Sequence, residues 1–193
     1  MPDGVMRAII RKIFRNAVKS VPRDTLWCRL PPAAAAYRPW LRDRGSLTRR
    51  IQDRCPGLRV KVVFQGLRRV NRDERFMASG RSKALVREVY LYCRRTPVVF
   101  AHSVINVRDL RGAWRRLARL GSRPLGAELF SDPRVERYAL RQKKLGRCHE
   151  LCRRAGAALS TTPATLWARR SLFMLNKSPI LVTEVFLPGI LKL

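Results

Sequence analysis

Glu184 stands inside the apolar run Ile180-Leu181-Val182-Thr183-Glu184-Val185-Phe186-Leu187, in a chain with 13 acidic residues against 42 basic ones. Read as a strand, the run puts Ile180, Val182, Glu184 and Phe186 on one face, so the carboxylate points where its neighbours place the interior. Burying it unpaired would cost on the order of several kcal/mol, so it needs a cation, a hydrogen-bond donor or a ligand. Two readings stay open: a structural ion pair with one of the arginines, or a carboxylate that holds a ligand. Arg87 is the cationic counterpart, sharing a strand face with Leu85, Val89 and Leu91. A third cluster, Cys148-His149-Glu150-Leu151-Cys152, lacks a second ligand pair at metal-binding spacing and reads as two thiols on a helix face.

Positioning these groups falls to alternating strands and short helices. Ser46 can cap a helix running to about Asp53, and Pro56-Gly57 ends it. Residues 58–64 alternate apolar with basic side chains, as a strand with one wet face does. Residues 85–92 and 98–105 read as a hairpin turned at Arg94-Arg95-Thr96-Pro97. Asp109 can cap a helix carrying Leu110, Ala113, Trp114, Leu117 and Leu120, with Gly121 as its stop. Pro124-Leu125-Gly126 opens a short helix to Phe130, and a longer helical pattern runs over residues 133–155. Residues 167–175 and 180–187 form a closing hairpin through Asn176-Lys177-Ser178-Pro179. The pattern predicts an α+β domain built on a single antiparallel β-sheet flanked by helices.

At the amino-terminal end, residues 5–18 carry Val5, Ile9, Ile10, Ile13 and Val18 at helical spacing among Arg7, Arg11, Lys12 and Arg15. Three readings of this extra amphipathic helix stay open, docking on the domain, weak contact with an anionic membrane surface, or an organelle targeting segment, and docking or an upstream extension is preferred because nothing in it marks cleavage or insertion. Residues 31–36, two prolines and four alanines, read as a linker, dividing the chain into 1–38 and a domain of 39–193.

At 193 residues and 46% hydrophobic composition the chain can bury a core, and no apolar run reaches the length of a membrane span. The five cysteines are odd in number and scattered, which suits a reducing compartment, and the cytoplasm is the expected location. A net charge of +29 predicts non-specific attraction to polyanions. The basic residues, 34 Arg and 8 Lys, are spread along the chain, and no zinc knuckle, GXXG loop or glycine-rich aromatic strand organises them, so no specific nucleic acid is expected.

Trp167-Ala168-Arg169-Arg170-Ser171 followed by Lys177-Ser178-Pro179-Ile180-Leu181-Val182-Thr183-Glu184-Val185-Phe186-Leu187-Pro188 resembles the carboxy-terminal hairpin of the bacterial chorismate pyruvate-lyase family of ubiquinone biosynthesis. Three further blocks fit in order: Trp40-Leu41 with Ser46-Leu47-Thr48, Val86-Arg87-Glu88-Val89 with its hairpin, and Leu120 to Gly126 with Leu129-Phe130. The likeness spans about residues 39–188.

The resemblance implies an enzyme that encloses chorismate beneath helical flaps and converts it to 4-hydroxybenzoate and pyruvate without metal or organic cofactor; a monomer is expected, although the sequence does not give oligomeric state. It places the family's ligand-binding arginine on Arg87, its glutamate on Glu184 and two backbone contacts on Leu47 and Leu125. Arg87 would then hold the ring carboxylate through its planar fork. Glu184 would accept from the ring hydroxyl, orienting the ring with or without moving a proton. Where His102 stands the family pattern leads one to expect an arginine, and that position reads as structural. Two other classes fit parts of the pattern: a non-catalytic module binding small aromatic acids, like the effector domains of some transcription regulators, and a basic nucleic-acid-associated protein.

Overall fold

The computed structural model describes Trp27, residues 35–78 and residues 83–193. The expected helix of residues 5–18 lies outside them, as does most of the linker; of the latter, Ala35 and Ala36 enter a 3-10 turn, Ala35–Tyr37.

Seven antiparallel strands form one sheet: β1 (Leu58–Arg69), β2 (Lys83–Cys93), β3 (Thr96–Ile105), β4 (Glu136–Arg137), β5 (Arg141–Gly146), β6 (Thr165–Leu175) and β7 (Ser178–Phe186). Their order is β1-β2-β3-β7-β6-β4, with β5 also paired to β6. Among the described residues four α-helices flank it: α1 (Arg38–Arg42), α2 (Leu47–Arg54), α3 (Leu125–Ser131) and α4 (Glu150–Gly156). The α+β expectation holds, and both hairpins fall where the apolar alternation and turn residues put them.

Each face of the sheet carries two apolar clusters with a polar gap between them. On the front, Trp40, Leu41, Leu47 and Ile51 of α1 and α2 pack on Val89, Leu91 and Phe186. Beyond the gap, Trp114, Leu117, Leu120 and Leu129 cover Ile105, Phe173 and Ile180. On the back, Leu151, Cys152 and Ala155 of α4 cover Tyr90, Phe100 and Val185, and Met77 covers Val86, Val104 and Leu181. Burying these aliphatic and aromatic side chains stabilises the fold by roughly 1.5–3 kcal/mol each, before the entropy of ordering them.

The strand register fixes what occupies the gaps. Arg87 pairs with Ser103, Ser103 with Val182, and Val182 with Ser171, so this row faces the front. One row further on the same face, Ala101 pairs with Glu184 and Glu184 with Arg169. The alternate row, Glu88, His102, Thr183 and Arg170, faces the back. There His102 Nδ1 lies 2.9 Å from Glu88 and Nε2 lies 3.2 Å from Glu74, while Arg170 donates to Glu74 at 3.0 Å and to Thr183 at 2.9 Å. His102 is thus part of a buried ionic layer, the structural role expected of it.

A bulge between Val62 and Phe64 lets one strand serve both faces. Val60 and Val62 pack with the front cluster and Phe64 with the back one.

Two local expectations fail. Residues 107–120 form two 3-10 turns, Val107–Arg111 and Arg115–Arg119, rather than one helix, and the cap is Asn106, whose side chain accepts from the Arg108 amide. Gly112 departs from helical geometry at φ −115°, ψ −119°, whereas Gly121, at φ +56°, does mark the stop. The helical pattern over residues 133–155 gives β4 and β5 and only the short α4. The outer edge of β6 offers unpaired backbone groups, and satisfying them outweighs helix propensity in residues 141–146.

The cysteines also depart from expectation. Cys55, at the C-cap of α2, is bonded to Cys93 at the end of β2, 38 residues away. Cys148 is exposed and precedes α4, so it does not share a helix face with buried Cys152.

Candidate active site

The front gap is a cavity lined by Leu47, Arg87, Leu125 and Glu184, the four residues the sequence resemblance singled out, together with Arg137, Arg169 and Ser171. β2 and β7 supply Arg87 and Glu184 from opposite sides of β3. Leu47 and Leu125 are the first residues of α2 and α3, where backbone amides have no acceptor within their own helix. Ser46 caps α2 by accepting from the Arg49 amide. The two helix starts approach closely: a Cβ added to Gly126 would lie 3.2 Å from Thr48 Oγ1 and 3.4 Å from Ser46 Oγ.

Arg87 is 5% exposed. Its Nη2 donates to the carbonyls of Gly121 at 2.9 Å and Arg123 at 3.2 Å, which fixes the guanidinium plane. Among the described residues its Nε is a buried donor without a partner. Burial pushes the Arg87 pKa below the usual arginine value. A desolvated guanidinium with an unused donor fits an incoming carboxylate.

Glu184 makes the ion pair that one reading of its sequence pattern expects. Arg169 Nε donates to Glu184 Oε2 at 2.5 Å, and Arg169 Nη1 is anchored on the carbonyls of Trp40 at 2.8 Å and Asp43 at 2.6 Å. The carboxylate is therefore held in one orientation by a buried, immobile partner. Its Oε1 makes no hydrogen bond among the described residues, leaving an acceptor for a ligand hydroxyl.

Sequence reasoning missed two lining arginines. Arg169 was legible: adjacent Arg169 and Arg170 in a strand must face opposite sides, and Arg169 shares its face with Trp167. Arg137 was not, because it fell within the segment read as helix. The Cys148–Cys152 segment stays outside the site; His149 accepts from the Leu151 amide as the cap of α4.

A family model described as Chorismate lyase matches residues 22–192. The chain belongs to the chorismate lyase family. A relative named "Probable chorismate pyruvate-lyase" from Nitrosospira multiformis is 56% identical over 169 residues, covering 84% of this chain and 94% of the relative. Another of the same name, from Nitrosomonas europaea, is 55% identical over 156 residues, covering 80% and 88%. Among solved structures, a GntR-family transcriptional regulator from Bacillus cereus superposes with a TM-score of 0.50 at 8% identity, over 69% of this chain and 93% of that one. That likeness concerns the fold alone. The four residues that the sequence resemblance singled out line one space.

Proposed function

We propose that this chain is a chorismate pyruvate-lyase, converting chorismate to 4-hydroxybenzoate and pyruvate in ubiquinone biosynthesis. The ring carboxylate binds Arg87, with the backbone amides of Leu47 and Leu125 completing the anion site. The ring hydroxyl donates to Glu184 Oε1. The supporting observation is that one cavity holds an arginine donor and an oriented carboxylate acceptor, each without a partner among the described residues, on strands separated only by β3.

The ether bond at C3 breaks and the C4 hydrogen leaves, so the ring becomes aromatic while keeping its hydroxyl. The enolpyruvyl fragment gains a hydrogen at its methylene carbon and departs as pyruvate. Because aromatisation drives the reaction downhill, the protein needs mainly to exclude water and align the ring. Glu184, already engaged by Arg169, orients the C4 end; orientation alone accounts for its presence. The +29 charge draws the dianionic substrate inward.

Among the described residues no helix is long and apolar enough to cross a membrane. The Cys55–Cys93 bond removes the cysteine argument for a reducing compartment, and the proposed cytoplasmic location rests on the enzyme reading alone. The function is tested by incubating purified protein with chorismate, without added metal or cofactor, and measuring both products. Stoichiometric release is expected; no turnover in a folded, monodisperse sample would refute it.

A further inference from the structure

The cavity is lined by three arginines, Arg87, Arg137 and Arg169, and one carboxylate, Glu184. Glu184 is taken by Arg169. Among the described residues two guanidiniums are left without a carboxylate, whereas the ring of chorismate carries only one for Arg87. The second carboxylate of chorismate is on its enolpyruvyl arm.

Arg137 is built to receive it. It extends from β4 over the edge of β6, where its Nε donates to Ser171 Oγ at 3.0 Å and its Nη1 to the Arg44 carbonyl at 2.5 Å. Its guanidinium lies 5.5 Å from the Phe130 ring centroid and 5.3 Å from that of Phe173. These contacts fix its plane while Nη2 has no partner among the described residues. Burial pushes its pKa down to about 10 despite the opposing field of Glu184. The carboxylate that acts on it most strongly is already committed to another arginine.

The register places the two unpaired cations on opposite sides of Glu184. Ser171, which anchors Arg137, is on β6, and Arg87 is on β2, with β3 and β7 between. Chorismate carries its ring carboxylate at C1, its hydroxyl at C4 and the enolpyruvyl ether at C3, next to C4. With C1 on Arg87 and C4 at Glu184, the arm leaves the ring beside Glu184, which is the Arg137 side.

We propose that Arg137 binds the carboxylate of the enolpyruvyl arm and holds it while the C3 ether breaks. This rests on the assignment of Arg87 and Glu184 to the ring. Arg137 thereby distinguishes substrate from product: chorismate uses it, and 4-hydroxybenzoate, with one carboxylate, does not. Arg137 also lines a neighbouring groove with Arg42 and Arg44, so the arm lies next to an opening for pyruvate.

The test compares Arg137→Gln, Arg137→Lys and Arg87→Ala with the wild type, measuring kcat/KM for chorismate and the Kd of 4-hydroxybenzoate. In Arg137→Gln, kcat/KM should fall about 30-fold or more, with the 4-hydroxybenzoate Kd within about threefold of wild type. Arg137→Lys should recover part of the loss, since it restores the charge without the planar fork. The 4-hydroxybenzoate Kd doubles as a folding control, because the product fills the same cavity. Unchanged kcat/KM in Arg137→Gln, or equal losses for chorismate and 4-hydroxybenzoate, would overturn the proposal. Failure of Arg87→Ala to weaken 4-hydroxybenzoate would instead overturn the underlying ring assignment.

Discussion

Glu184 Oε2 is bound by Arg169 Nε at 2.5 Å, on the face of the sheet that also carries Arg87. An ion pair is often an alternative to a binding role, yet here its geometry fits the proposed one. Arg169 is 1% exposed and anchored to two backbone carbonyls, so it holds Glu184 still and leaves Oε1 open.

Arg87→Ala removes the proposed carboxylate partner and leaves the Gly121 and Arg123 carbonyls without their donor. The affinity for 4-hydroxybenzoate, measured by calorimetry, should fall about 30-fold or more, with Arg87→Lys intermediate. Arg134→Ala, which removes an exposed arginine paired with Asp132, should leave it within about twofold, as surface pairs contribute little.

Gly126→Ala should separate the starts of α2 and α3, because the new methyl group meets Thr48 and Ser46. The displaced amides of Leu47 and Leu125 should weaken 4-hydroxybenzoate by about tenfold at most. Thr48→Ala in the same chain should restore part of the loss; no restoration would place the effect elsewhere.

The ionic layer behind the site makes stability depend on pH. Burial opposes protonation of His102, but Glu74 and Glu88 outweigh it and raise the pKa from 6.5 to about 9. Since the folded value exceeds the unfolded one, this stabilisation is complete below pH 6.5 and is lost as pH rises through about 9. It amounts to about 3 kcal/mol. Burial likewise raises Glu88, yet His102 and Arg154 hold it at about 2, so its contribution is present above pH 4.5 and lost as pH falls toward 2. Both express the same contacts and are not summed. The melting temperature should drop by about 5–10 °C between pH 6.5 and pH 9.5, and His102→Gln should flatten that slope; parallel slopes would contradict the assignment.

The Cys55–Cys93 bond closes a loop of 38 residues joining the end of α2 to β2. Its loss should cost about 4 kcal/mol on the loop-entropy scale. Thermal melts of Cys55→Ser and Cys93→Ser should show equal falls, and reductant should lower only the wild type.

The strands that carry Arg87 and Glu184 were legible because each is a charge on an otherwise apolar alternation, and hairpin turns bracket both. Gly121, Ser46 and Pro124 marked element ends for the same local reasons. Residues 133–146 were not legible, since their pairing with β6 depends on an edge that exists only in the folded sheet. Arg137 was hidden with them. The Cys55–Cys93 pairing was hidden by its sequence separation, and the Glu74–His102–Glu88 layer by the arrival of Glu74 from a turn with no periodic signal.

The central claim, that Arg87 holds the carboxylate of an aromatic acid and Glu184 its hydroxyl, is tested most directly by calorimetric titration of 4-hydroxybenzoate and benzoate into wild type and Glu184→Ala. Removing Glu184 frees Arg169, which affects both anions alike, so the ratio of the two Kd values isolates the hydroxyl contact. The wild type should prefer 4-hydroxybenzoate by roughly tenfold or more, the scale of a hydrogen bond to a charged group, and Glu184→Ala should lose that preference. A preference that survives unchanged in Glu184→Ala would contradict the assignment.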